Sequence, residues 1–264
     1  MSEPIIEARA VNMSFSTRKG ALTALEDFHL QVQPGEVVCI VGASGCGKST
    51  FLNVVAGFLR PTSGEVLLEG RPITGVEPRC GMIFQSYALF PWMTVLENVG
   101  FGPRLKGASR KARREKARHW ISVVGLDGFE HAYPGELSGG MQQRVALSRA
   151  LANDPDVLLC DEPFAALDAM TRQILQQELL RVVTETGKTV LFITHSIDEA
   201  LILSDRLIVM SARPGRVKSS YDNDLPRPRS MDEQITHRFI ELTREVWDLV
   251  QEEVMGSMTA LQRG

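Results

Sequence analysis

The run Gly42-Ala43-Ser44-Gly45-Cys46-Gly47-Lys48-Ser49-Thr50 has the residue types needed to hold a polyphosphate. Its glycines let backbone N–H groups converge on phosphate oxygens, and a helix starting behind them adds positive partial charge. The Lys48 ammonium would reach the β- and γ-phosphates, and the Ser49 hydroxyl would coordinate Mg²⁺. The pattern G-x-x-x-x-G-K-[ST] carries weight only between a strand and a helix, and both flanks are present. Glu36 to Val41 is a near-continuous apolar run, and Phe51-Leu52-Asn53-Val54-Val55-Ala56 begins a helix. The competing reading, a glycine turn with a surface lysine, does not account for this context. The segment predicts a nucleoside triphosphate site.

Val157-Leu158-Leu159-Cys160 is a second apolar run, and it ends in two adjacent carboxylates, Asp161 and Glu162. At the carboxyl edge of a parallel sheet, Asp161 can hold Mg²⁺ through its water shell. Glu162 points elsewhere and can deprotonate an attacking water, the general-base role. His195 ends the run Thr189 to Thr194 in the same way and is expected to contact the γ-phosphate. Gln85 follows Gly81-Met82-Ile83-Phe84, where its amide can reach Mg²⁺ or the attacking water. Leu137-Ser138-Gly139-Gly140-Met141 is a second glycine motif at a helix start, with Ser138 as N-cap. One triphosphate already occupies the Lys48 loop. The economical reading is that Ser138, Gly139 and Gly140 close over a nucleotide on another subunit.

These residues need a scaffold of strand ends and helix starts. Four short apolar runs, with Leu207-Ile208-Val209-Met210 after them, are separated mostly by helical stretches, which predicts a doubly wound α/β sheet. The first 35 residues read instead as antiparallel strands; Phe28 to Gln33 alternates apolar and polar, as in a half-buried strand. Strand signals vanish between about 90 and 150. There Ala117, Trp120, Ile121 and Val124 mark a helical insertion. After the break Leu225-Pro226-Arg227-Pro228-Arg229, Ser230 and Glu233 offer a capping box. Ile235, Phe239, Leu242, Val246, Leu249 and Val254 then predict an amphipathic helix ending at Gly256 and docked on its own domain. The expected division is a domain over 1–225, with the insertion at about 90–150, and a helical tail over 226–264.

Composition narrows the class. The 264 residues carry a net charge of −3, with 44% hydrophobic and 23% charged residues, and a mean hydropathy of −0.05. No apolar window is long enough for a membrane span. The N-terminus has no secretory pattern, and the expected compartment is the cytosol. Cys39, Cys46, Cys80 and Cys160 have neither disulfide-framework nor zinc spacing, so they read as buried thiols. Arg104 to Arg118 holds eight basic residues against Glu115, a local charge of +7 that leaves −10 elsewhere. The solvated face of a helix explains it best, with contact to anionic lipid as the alternative. The acidic remainder speaks against nucleic acid.

Together these residues resemble the ATP-binding subunits of ABC transporters. The 42–50 loop resembles Walker A, Gln85 the Q-loop, Leu137 to Met141 the family signature, Val157 to Glu162 Walker B, and His195 the switch histidine. The motifs stand in family order across about residues 5 to 225. The resemblance implies a P-loop ATPase core with an N-terminal antiparallel β-subdomain and an inserted α-helical subdomain. It also implies that Phe15 stacks on adenine and that Ala165-Ala166-Leu167-Asp168 is a D-loop. Phe15 replaces the usual Tyr, Met141 a frequent Gln and Ala165 a frequent Ser.

The implied function is ATP hydrolysis with Mg²⁺ in a head-to-tail homodimer at the cytoplasmic face of the inner membrane. There it would drive integral permease subunits that dock near Gln85 and the helical subdomain, and act indirectly with a solute-binding protein. Phe90, Pro91 and Trp92 are candidates for the permease contact. Leu89 to Val95, Arg213-Pro214-Gly215-Arg216 and Leu225 to Arg229 resemble the nitrate/sulfonate/taurine import branch. The rival is a soluble ABC-type ATPase of translation or DNA repair. Such relatives generally carry paired cassettes or long coiled-coil or zinc-binding insertions, none of which stands in this sequence.

Overall fold

The computed structural model describes residues 3–18, 20–165, 167–227, 229 and 231–262. They fall into two units, Met1–Glu77 with Gly187–Gly264, and Pro78–Thr186.

In the first unit the strands Ile6–Thr17 and Gly20–Val32 pair antiparallel, from Ile6 opposite Val32 to Thr17 opposite Gly20. Ser63–Leu68 joins the other side of Ile6–Thr17, with Arg71–Pro72 at the edge. The expected alternation is present: Phe28, Leu30 and Val32 are buried while His29 and Gln31 face water. The second sheet of this unit runs Val217–Asp222, Arg206–Met210, Val37–Gly42, Thr189–Ile193. The first pairing is antiparallel and the others parallel. All six residues of Val37–Gly42 are buried. A strand covered on both faces needs this unbroken apolar sequence, and each buried Val or Ile side chain contributes about 1.5–3 kcal/mol of transfer free energy. The helix Lys48–Val55 follows this strand and packs Phe51 onto Phe28, with ring centroids 4.3 Å apart.

The C-terminal helix departs from expectation at both ends. A 3₁₀ turn, Met231–Ile235, comes first, and the α-helix spans His237–Gln262. It therefore starts later than a cap at residue 230 requires, and Ser230 itself lies outside the described residues. The backbone stays helical through Gly256, because one glycine costs only about 1 kcal/mol in a helix. Ile235 is 81% exposed, whereas Phe239, Leu242 and Val246 are buried. Glu253 accepts from the Ala212 amide and pairs with Lys218, which fixes the helix on its own unit.

In the second unit Cys80–Ile83 runs parallel to Val157–Asp161. Between them the described residues hold helices Val95–Val99, Phe101–Leu105, Arg110–Val123 and Gly139–Ala152, with Ala169–Thr186 following. Thr94 and Glu97 form a capping box on the first, and the Ser109 hydroxyl caps the third. Ala117, Ile121 and Val124 are buried at the expected helical spacing. Cys39, Cys46 and Cys160 are buried free thiols, and Cys80 is half-buried. No helix among the described residues is long and apolar enough to cross a membrane.

Candidate functional site: two strand edges and two helix starts

The loop after Val37–Gly42 is built from the near and far parts of the first unit. Gly42 stands opposite Met210 in register, where a Cβ would lie 2.8 Å from the Met210 carbonyl oxygen. Arg213 Nε donates to the Gly45 carbonyl at 2.8 Å, and a Cβ on Gly215 would collide with the Cys46 carbonyl. Lys48 is 5% exposed, and its ammonium donates to the carbonyls of Gly42 and Ala43 at 2.8 and 3.0 Å. It is therefore held inside the loop it would use to bind phosphate. The buried Cys46 thiol is pushed up in pKa by desolvation, against the opposing effect of nearby Lys48, and so stays protonated and poorly nucleophilic at neutral pH. Ser44, Gly45 and Ser49 are exposed along the loop and first helical turn.

Gly47 is the N-cap of the helix at φ 111°, with space for a Cβ only 2.7 Å from the Ala24 carbonyl. Gly47→Ala is therefore expected to cost about 2–3 kcal/mol through backbone strain and steric overlap. A lowered denaturation midpoint, with ATP binding lost in parallel, checks this; a wild-type midpoint refutes it.

His195 lies just past Thr189–Ile193, whose Ile193 is in register with Ile40, and is exposed. It therefore shares the carboxyl edge of this sheet with the 42–50 loop. The Thr194 hydroxyl accepts from the Ser196 amide, and Ser196 caps helix Ile197–Leu203, which fixes the turn around His195. Phe15 is half-buried opposite Leu22, near the end of the Ile6–Thr17 hairpin.

The other predicted residues belong to the second unit. Ile83 pairs with Cys160, so Asp161 ends its strand, and Glu162 and Gln85 lie just past the carboxyl ends of these neighbouring parallel strands. Gln85 is exposed, while Asp161 and Glu162 are half-buried. Glu162 adopts φ 45°, a left-handed backbone that turns its side chain out of the strand's alternation. Such strain clusters where geometry is functional. The Ser138 hydroxyl accepts from the Met141 amide at 3.3 Å, leaving the N-terminus at Gly139 and Gly140 open. Asp168 accepts from the Thr171 amide at 3.0 Å, and that bond holds its carboxyl below the usual range. Asp168 thus caps Ala169–Thr186; Ala166 lies outside the described residues.

Trp92, Phe101, Arg104, Arg110, Arg113, Arg114 and His131 are among the residues lining a cleft of about 560 Å³ in this unit. Part of the basic stretch therefore lines a concavity with aromatic walls, in addition to the exposed outer face of Arg110–Val123 carrying Lys111 and Arg118.

Arg149 stands in none of the motifs, and the motif holding Arg213 and Gly215 gives no sign that it touches the phosphate loop. Arg213 and Gly215 buttress the phosphate loop from more than 160 positions away, and nothing local in the sequence signals that contact. Arg149, in the last turn of Gly139–Ala152, donates to the carbonyls of Tyr87 and Ala88. Only its place in the helix that starts at Ser138 could have drawn notice.

A buried parallel strand leading through a glycine loop into a helix, with a buried lysine folded over that loop, defines a P-loop nucleotide-binding protein. A family model for ABC transporters matches residues 25–165. The taurine import ATP-binding protein TauB of Roseobacter denitrificans is 48% identical over 256 residues, 93% of this chain and 95% of that protein. The uncharacterized ABC transporter ATP-binding protein MJ0412 of Methanocaldococcus jannaschii is 49% identical over 244 residues, 92% of this chain and 90% of that protein. Among solved structures, the dimeric ATP-binding cassette MJ0796 bound to ADP and Pi is similar with a TM-score of 0.76. Its identity is 33%, over 84% of this chain and 100% of that one. This chain belongs to the ABC transporter family and is one of its ATP-binding subunits, an ATPase.

Proposed function

We propose that the chain is the ATPase of an importer for a small anionic solute of the sulfonate, taurine or nitrate kind. The observation that carries this is the 48% identity to a taurine import ATP-binding protein over nearly the whole of both chains. Nothing in the site would touch the solute, so the test is transport. The subunit is reconstituted with its permease and solute-binding protein, and ATP-driven uptake of taurine, alkanesulfonates and nitrate is compared. Uptake of one of these supports the reading; uptake of none, with another solute class carried, overturns it.

In the hydrolytic cycle we assign phosphate binding to the loop from Gly42 to Thr50. Lys48 neutralises the β- and γ-phosphates, and Phe15 stacks on adenine. Ser49, Asp161 and Gln85 offer a hydroxyl, a carboxylate and an amide, hard oxygen donors suited to Mg²⁺, which keeps several of its waters. The metal would neutralise charge on the transferred phosphoryl group. Glu162 serves as the base for water and His195 contacts the γ-phosphate. Ser138, Gly139, Gly140 and Asp168 complete the site of a second copy, consistent with the dimer reported for the MJ0796 cassette. The subunit then acts peripherally, at the cytoplasmic face of the membrane that holds its permease.

The permease docks at the cleft around Trp92, which is 70% exposed beside Phe90 and Phe101. Exposed aromatics with arginines around them are the composition of protein–protein hot spots. Trp92→Ala is expected to cost about 2 kcal/mol of docking, roughly thirtyfold in Kd. Titrating the detergent-solubilised permease with the variant measures it; unchanged affinity removes Trp92 from the interface.

A further inference from the structure

The segment after Gln85 is bent in a way its sequence does not demand. Tyr87 and Ala88 both adopt left-handed backbone, at φ 59° and 48°, and neither is glycine. Two consecutive residues in that region need something outside them to hold them there. Arg149 supplies it. Its guanidinium donates to the Ala88 carbonyl at 2.6 Å and the Tyr87 carbonyl at 3.1 Å, and lies 5.6 Å from the centre of the Phe90 ring. The fork is bidentate and rigid, which a lysine cannot reproduce. Burial disfavours the charged form of this side chain, so its two carbonyl bonds offset a real desolvation cost.

The same helix meets the same segment at its other end. The Tyr87 hydroxyl lies against Gly139, close enough that a Cβ there would stand 3.2 Å from it. Gly139 and Arg149 are separated by ten residues, about 15 Å of helix. On the far side, Asn98 is fully buried; it accepts from the Phe90 amide and donates to the carbonyls of Phe90, Met93 and Thr94. Residues 87 to 94 are thus fastened at three points, two of them on Gly139–Ala152.

We propose that Arg149 is a positioning residue for ATP hydrolysis. By clamping Tyr87 and Ala88 it fixes the Gln85 turn to the helix that begins at Ser138, so that both present one geometry during the reaction. The proposal rests on the reading of Gln85 and Ser138 as nucleotide-facing. It predicts a loss confined to kcat, because phosphate binding by the 42–50 loop does not pass through this clamp.

The test measures kcat and KM for Mg²⁺-ATP, with melting temperature, on Arg149→Lys, Arg149→Met, Ala88→Gly and the Arg149→Lys, Ala88→Gly double variant. Arg149→Lys should lower kcat about tenfold or more, as small misplacements of reacting groups do, with KM within about twofold of wild type. Ala88→Gly keeps the carbonyl that Arg149 grips and accepts φ 48° without strain, so it should keep both kcat and the melting temperature. The double variant should be faster than Arg149→Lys alone, because glycine at 88 adopts the left-handed turn without needing the clamp, the sign that Arg149 acts through that turn. Wild-type kcat in Arg149→Lys overturns the proposal, as does a double variant no faster than Arg149→Lys alone. If Arg149→Met fails to fold, the other variants decide. Ser138→Arg in the same series separates the two levels. Full activity there sinks the underlying reading of the helix start, whereas its inactivity alongside a wild-type Arg149→Lys sinks only the clamp.

Discussion

Glu162→Gln is expected to bind ATP like wild type and to hydrolyse it about 10²–10⁴-fold more slowly, the range over which a positioned general base contributes. The amide has nearly the shape of the carboxylate, so the left-handed turn at φ 45° is retained. What is lost is the negative charge and basicity of the carboxylate, because the neutral amide cannot take a proton from the attacking water. Lys48 and Ser49 remain, so nucleotide affinity remains. A site that binds but cannot turn over should also accumulate in its closed, two-subunit form. Sizing with ATP and Mg²⁺ should then show a dimer that the wild type forms only transiently. Hydrolysis at the wild-type rate would remove Glu162 from the role of base.

Ser138→Arg tests whether the second helix start belongs to a partner's nucleotide. The substitution removes the hydroxyl that accepts from the Met141 amide, a cap worth about 1 kcal/mol. It also puts a long side chain across the exposed N-terminus at Gly139 and Gly140. Binding of ATP by the isolated subunit should be spared, because the 42–50 loop is untouched. Closure should fail, because the arginine fills the space a second subunit's phosphates require. Placed in the Glu162→Gln background, the variant should therefore elute as a monomer with ATP. Ser138→Ala loses the cap without adding bulk and controls for it; dimerisation there but not with arginine isolates the steric effect. A dimer of the Glu162→Gln, Ser138→Arg double variant would defeat the shared-site reading.

The candidate site residues stand out in the sequence because each motif is local. A glycine loop, a strand end and a capped helix are specified within about ten residues, and neighbouring strand and helix signals confirm their context. The buried strand Val37–Gly42 and the alternating Phe28 to Val32 were legible for the same reason, since burial on one face or both writes its period into the chain. What stayed hidden is held by distant backbone. Arg213 on the Gly45 carbonyl and Arg149 on Tyr87 and Ala88 are side chains meeting carbonyl oxygens, and a carbonyl leaves no residue type to notice. The C-terminal helix departs from its local signals at both ends for another reason. Local cap and breaker signals at Ser230 and Gly256 do not set its limits, because the helix is held by tertiary anchors, Lys218 and Ala212, that lie elsewhere in the chain.

The buttress of the phosphate loop bears on how the protein is made. Its contacts come from Met210, Arg213 and Gly215, which leave the ribosome long after Lys48 does. At synthesis rates of about 5–20 residues per second, the loop waits on the order of ten seconds or longer for the strand and turn that shape it. A nascent chain stopped before Arg206–Met210 is therefore expected to carry the whole glycine motif and yet be unable to grip ATP. The energy source of the transporter becomes available only once the second half of its chain has been translated.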